Sequence, residues 1–179
     1  MNISTAEKET SNMNERFTVG LVVANRYGVL NRIAGLYNKR GYNIDSLSVG
    51  ETEDPSYSRM TIVSSGDRQV RTQMVRQLNK LYDVKTAALF EGEGTIAVEH
   101  LLIKLKKYGG HGDDPSALVG QYGGKIVETG EDFLVADVTG IPEQVQEFIE
   151  KCKSIGIFEL CRSGTLALSS GSYNIFDAK

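Results

Sequence analysis

The chain has 179 residues, of which 40% are hydrophobic and 24% charged, with a formal net charge of −3. That length fits one ordinary domain or two small ones, and the composition supplies a core and excludes a disordered chain. The mild negative balance excludes the basic footprint of a nucleic-acid binder, and no apolar run is long enough to span a membrane.

Residues 1–15 are polar, have no signal-peptide apolar core and read as a loose tail, with a cytoplasmic location expected. Residues 16–24 follow as a strand in which Phe17, Val19, Leu21 and Val23 alternate on one face. Asn25-Arg26-Tyr27-Gly28 interrupts it. A helix is predicted over 28–40, with Leu30, Ile33, Ala34 and Tyr37 at helical spacing and Gly41 as its stop. Strands are predicted over 43–52 and 57–64, joined by the turn Glu53-Asp54-Pro55-Ser56. Asp67 is placed to cap a second helix carrying Val70, Met74, Leu78 and Leu81, and residues 84–90 form a fourth strand.

Strand, helix, strand, strand, helix, strand is the split βαβ, ferredoxin-like order. It recurs more faintly after Glu91-Gly92-Glu93-Gly94. A strand over 100–106 leads to a short helix opened by Asp114-Pro115 and ended by Gly123-Gly124. A hairpin over 125–128 and 133–138 follows. Pro142 then starts a helix with Val145, Phe148, Ile149 and Cys152 on one face, and 157–161 is the last strand. The fold class is therefore α+β: two ferredoxin-like βαββαβ modules, each an antiparallel sheet with helices on one face.

Catalytic signals are scarce. Dinucleotide, P-loop and nucleophile-elbow motifs are absent. His100 and His111 are not spaced as a metal pair, and His111 lies in a glycine-rich polar loop where a solvated histidine is the simpler reading. Cys152 and Cys161 fit no zinc or redox spacing, and Cys152 reads as a small core residue. Glu51, Glu53 and Asp54 are explained by turn chemistry. What remains is the first strand-to-helix junction. Asn25 and Gly28 precede a helix N-terminus whose free N–H groups favour a carboxylate, and glycine lets a ligand approach the backbone. Asn43 adds a donor and an acceptor at the second strand. The simpler reading of Asn25 is a helix cap; the two roles are compatible.

These residues carry a resemblance. Asn25-Arg26-Tyr27-Gly28-Val29-Leu30-Asn31-Arg32-Ile33 resembles the start of an ACT domain. Arg40-Gly41-Tyr42-Asn43-Ile44-Asp45-Ser46-Leu47, Asp54-Pro55-Ser56-Tyr57-Ser58-Arg59-Met60-Thr61-Ile62 and Gln77-Leu78-Asn79-Lys80-Leu81-Tyr82-Asp83-Val84 resemble the small, regulatory subunit of acetolactate synthase. Arg162-Ser163-Gly164 and Leu168-Ser169 agree, so the similarity spans roughly residues 16–171. The loop over 106–114 and the segment after Ser170 depart from it.

The resemblance implies a non-catalytic subunit that dimerises through its ACT domain, associates with a large catalytic subunit, and binds valine or a related branched-chain amino acid between two ACT domains. Asn25, Gly28 and Asn43 are the implied ligand contacts, with Val29, Leu30 and Ile44 as the side-chain pocket. It implies no catalytic residue, metal or cofactor here; thiamine diphosphate, Mg²⁺ and FAD belong to the catalytic subunit. The implied organisation is a tail over 1–15, an ACT domain over 16–91, a linker over 92–96, a second domain over 97–171 and a tail over 172–179. The rival readings are a free-standing ACT-domain amino-acid-binding regulator and a small enzyme using His111 and the acidic loop.

Overall fold

A computed structural model describes residues 15–108 and 114–177 of the chain. The described residues up to Ile96, with those from Ala167 on, form one compact unit, and Ala97–Leu166 form the other.

In the first unit the strands are β1 (Glu15–Ala24), β2 (Ser46–Glu51), β3 (Tyr57–Gly66) and β4 (Val84–Phe90), and the helices are α1 (Val29–Lys39) and α2 (Arg68–Leu78). The sheet order is β2-β3-β1-β4, with antiparallel neighbours throughout. The alternation of β1 sends Phe17, Val19, Leu21 and Val23 into a core with Val29, Ile33 and Tyr37 of α1 and Met74 and Leu78 of α2. α1 closes as the sequence predicts. Gly41 takes φ 69°, and the N–H groups of Gly41 and Tyr42 donate to the carbonyls of Asn38 and Tyr37 at 3.0 Å each. Asp67 caps α2 by accepting from the Val70 N–H at 2.8 Å.

The other face of this sheet is also covered. Val22 and Thr61 are buried there, Ile175 is buried in a 3-10 turn (Ile175–Asp177), and the Phe176 ring meets Tyr57 edge-on. Gly20 allows this packing: a Cβ at that position would lie 2.0 Å from the Phe90 ring.

The second unit repeats the order. β5 (Thr95–Lys106), β6 (Lys125–Thr129), β7 (Phe133–Gly140) and β8 (Ile157–Ser169) form a sheet of order β6-β7-β5-β8, with α3 (Pro115–Gln121) and α4 (Pro142–Ile155). Leu101, Ile103 and Leu105 of β5 meet Leu118 of α3 and Phe148, Ile149 and Cys152 of α4. Both helices open on proline, and the Asp114 side chain accepts from the Ser116 N–H at 3.0 Å.

Three strands differ from their predicted bounds by three residues or more. β2 begins at Ser46, not at residue 43. The reason is local: Asn43 Nδ2 donates to Asp45 Oδ1 at 2.7 Å and Ser65 Oγ to Asp45 Oδ2 at 2.7 Å, side-chain bonds that compete with a regular ladder. β5 and β8 are longer than predicted because both run past polar residues. Glu99 is 3% exposed and takes Arg162, with Nη2 at 2.7 Å from Oε2. A charged strand residue satisfied by a partner 63 positions away breaks the alternation on which sequence reading relies.

Candidate amino-acid site

β1 ends at Ala24, whose N–H donates to the Asp83 carbonyl at 2.8 Å, and the Asn25 N–H donates to the Ser56 carbonyl at 2.8 Å. The chain then turns through Gly28, at φ 82°, into α1. Gly28 is itself the N-cap residue, and among the described residues no side chain caps the helix. The cap reading of Asn25 therefore fails. Its Nδ2 donates instead to Glu51 Oε1 at 2.9 Å and to the Pro55 carbonyl at 3.0 Å, tying the junction to the end of β2 and the following turn. The first intrahelical bond runs from the Arg32 N–H to the Gly28 carbonyl at 3.1 Å. The preceding N–H groups of α1 are left at an uncapped positive helix end with no acidic residue in its first turn.

Two guanidiniums flank this junction, and both rest on Asp83, whose side chain is 7% exposed. Arg26 reaches Asp83 Oδ1 through Nε at 2.7 Å and through Nη2, and Arg32 Nε lies 2.5 Å from Oδ2. The hydrogen bond from Arg26, with that from Arg32, holds the Asp83 carboxyl below the usual carboxylate range. Arg26 also lies over the Tyr82 ring at 5.1 Å. Sequence reading missed Arg26, Arg32, Asp83 and Glu51. Their partners lie 26 to 57 positions away, and only the proximity of the Asn-Arg-Tyr-Gly and Tyr-Asp-Val runs in the fold reveals them.

The predicted pocket residues divide. Asn25, Gly28 and Leu30 stand together at the junction, with Leu30 exposed on α1. Val29 is 3% exposed and belongs to the core, and Ile44 packs partly buried against the same core. Neither offers a free side chain. Asn43 is exposed but at the far end of the sheet. Its carbonyl accepts from Ser64 Oγ at 2.6 Å, and Ser64 pairs with Phe17, whereas Asn25 follows Ala24, the partner of Tyr57. Seven steps along β1 separate the two ends, roughly 23 Å at about 3.3 Å per residue.

His100 Nδ1 lies 2.9 Å from Thr139 Oγ1, and among the described residues no cluster of His, Cys, Asp and Glu has a metal-binding arrangement. His111 lies outside the described residues. No helix among the described residues is long and apolar enough to cross a membrane.

Two family profiles cover the two halves. An AHAS small subunit-like ACT domain matches residues 20–86, and the small subunit of acetolactate synthase matches 98–171. The probable acetolactate synthase small subunit of Methanothermobacter thermautotrophicus is 38% identical over 158 residues, covering 86% of this chain and 92% of that protein. The chain belongs to the acetolactate synthase small-subunit family. The acetolactate synthase small subunit of Bacillus subtilis is 36% identical over 156 residues, covering 86% of this chain and 90% of that protein. The crystal structure of the acetolactate synthase small subunit from Thermotoga maritima superposes with a TM-score of 0.80 at 28% identity, covering 89% of this chain and 99% of that one. The fold expected for this small-subunit family, two antiparallel four-stranded sheets in repeated βαββαβ order, is the fold observed.

Proposed function

We propose that this chain is the non-catalytic regulatory subunit of an acetolactate synthase, cytoplasmic, and that it binds valine or a related branched-chain amino acid between the first units of two copies. The reaction regulated is the condensation of pyruvate with a second 2-oxo acid on the large subunit, which carries thiamine diphosphate, Mg²⁺ and FAD. Residues 16–91 are assigned to sensing and dimerisation, and the second unit, Ala97–Leu166, to helping set the response.

One observation carries the interface reading: Asn25 and Asn43 lie at opposite ends of the sheet beside the same edge strand, β2. Asn25 holds Glu51, the last residue of β2, and Asn43 precedes its first residue. Antiparallel pairing of β2 with β2 of a second copy sets the start of one strand against the end of the other, so that Asn43 of one protomer meets Asn25 and Gly28 of its partner. An amino acid there would set its carboxylate on the uncapped N–H groups of α1. Its side chain would lie against Leu30.

Regulation follows if the amino acid binds one quaternary arrangement more tightly than the other, a coupling typically of about 1–3 kcal/mol. The test is complementation. Asn25→Ala and Asn43→Ala homodimers should each fail to bind valine in calorimetry. Mixed dimers formed by subunit exchange should recover one intact site, because both lesions fall in the other. Absence of recovery, with dimer exchange verified, would refute a site shared between protomers. Inhibition of the reconstituted holoenzyme by valine then tests feedback itself.

A further inference from the structure

The second face of the first sheet holds a cavity of about 510 Å³, lined by Arg59 and Phe90 on the sheet, by Thr52 and Glu53 before β3, and by Leu168, Ser169 and residues 171–176. It shares no residue with the Asn25 junction. Arg59 is its distinctive group. Arg26, Arg32, Arg71 and Arg162 each meet an acidic side chain. Arg59 is partly buried, and among the described residues it forms no ion pair; Glu53 lines the same cavity without making one. The contacts Arg59 does make are neutral: Nη2 donates to the Ala167 carbonyl at 3.0 Å, and the guanidinium lies over the Phe90 ring at 5.2 Å. Its Nε is buried without a hydrogen-bond partner among the described residues. Burial pushes its pKa below the ordinary arginine value. A guanidinium withdrawn from water without a counter-charge is costly, and a carboxylate matches its donor geometry. The backbone accommodates this arrangement only because residue 20 is glycine, since a Cβ there would stand 3.0 Å from Arg59 Nη2 as well as against the Phe90 ring.

We propose that this cavity binds a small monocarboxylate, with its carboxylate on Arg59 and its short aliphatic chain against Phe90, Leu168 and Ile175. The ligand would be a second small-molecule input to the first unit, held at a site the sheet separates from α1.

The probe is butyrate, with inorganic phosphate as the comparison anion, read by thermal unfolding of the full chain. Butyrate should raise the melting temperature saturably, by about 5 °C at a hundredfold excess over its dissociation constant. The shift should persist in Asn25→Ala, which separates it from the amino-acid site, and vanish in Arg59→Gln. Should Arg59→Gln fold poorly, Ser169→Glu is decisive: a carboxylate built into the cavity wall should raise the melting temperature alone and abolish the butyrate effect. No butyrate shift in the parent chain overturns the proposal. So does a shift that survives both Arg59→Gln and Ser169→Glu, or one produced by phosphate and not by butyrate. A melting temperature that falls in Glu53→Gln, with no response to butyrate, would identify Glu53 as the counter-ion and overturn it equally.

Discussion

Asp83 and Arg32 are 51 positions apart in sequence and meet at 2.5 Å, joining the residue before β4 to the first turn of α1. Because Arg26 closes on the same carboxylate, the loop carrying Asn25 and Gly28 is held from both ends. Asp83→Asn should lower the melting temperature and weaken valine binding. The sign with pH follows from the direction of the shift. A carboxylate whose pKa is depressed on folding contributes its stability in full above the unfolded value, about 3.9 for Asp, and loses it as pH falls through the depressed folded value. The difference in melting temperature between parent and Asp83→Asn should thus be constant from neutral pH to about 5 and shrink below about 4. A difference that grows on acidification would contradict the assignment.

Gly28→Asp tests the junction directly. At φ 82° the backbone is left-handed, which Asp tolerates better than most residues, so the fold should survive. The new Cβ would stand 3.2 Å from Arg32 Nη1, and a carboxylate there would occupy the helix end to which the proposed site assigns the ligand carboxylate. The reconstituted holoenzyme should remain active and lose inhibition by valine. Retained inhibition would remove Gly28 from the site.

The two thiols should differ sharply. Cys152 is fully buried and burial pushes its pKa up to about 12, whereas Cys161 is exposed on β8. A thiol reagent at mildly alkaline pH should label Cys161 alone in the native chain, and Cys161→Ser should remain unlabelled until denatured.

Packing gives two further expectations. Phe148 is 0% exposed in the second core, and Phe148→Ala should cost about 3–5 kcal/mol in denaturant unfolding. Gly20→Val drives side-chain atoms into the Phe90 ring and should cost about 1–3 kcal/mol.

The fold was legible wherever periodicity and punctuation agreed. Phe17 to Val23, the Gly41 stop, the Asp67 cap and the Pro142 helix start each state their element locally, and each is found. β5 and β8 were under-read because Glu99 and Arg162 satisfy each other at long range, which local alternation cannot register. The site was only partly legible, for the same reason. Asn25 and Gly28 were visible as residue types at a helix start. That Asn25 is bonded to Glu51 rather than capping α1, that Val29 faces the core, and that Asn43 lies at the opposite sheet end are facts of tertiary pairing.

The return of residues 167–177 to the first unit makes the second unit, in chain topology, an insertion. The first unit is thus assembled from two separate stretches of chain. A fragment stopping at Ile96 would retain every strand and helix of the ACT domain, yet lack the segment that buries Ile175 and caps the Arg59–Phe90 face. Gene truncation therefore does not dissect this protein into its units. A clean excision joins residue 96 to residue 167 through a short linker, and only that chain is a fair stand-in for the isolated first unit.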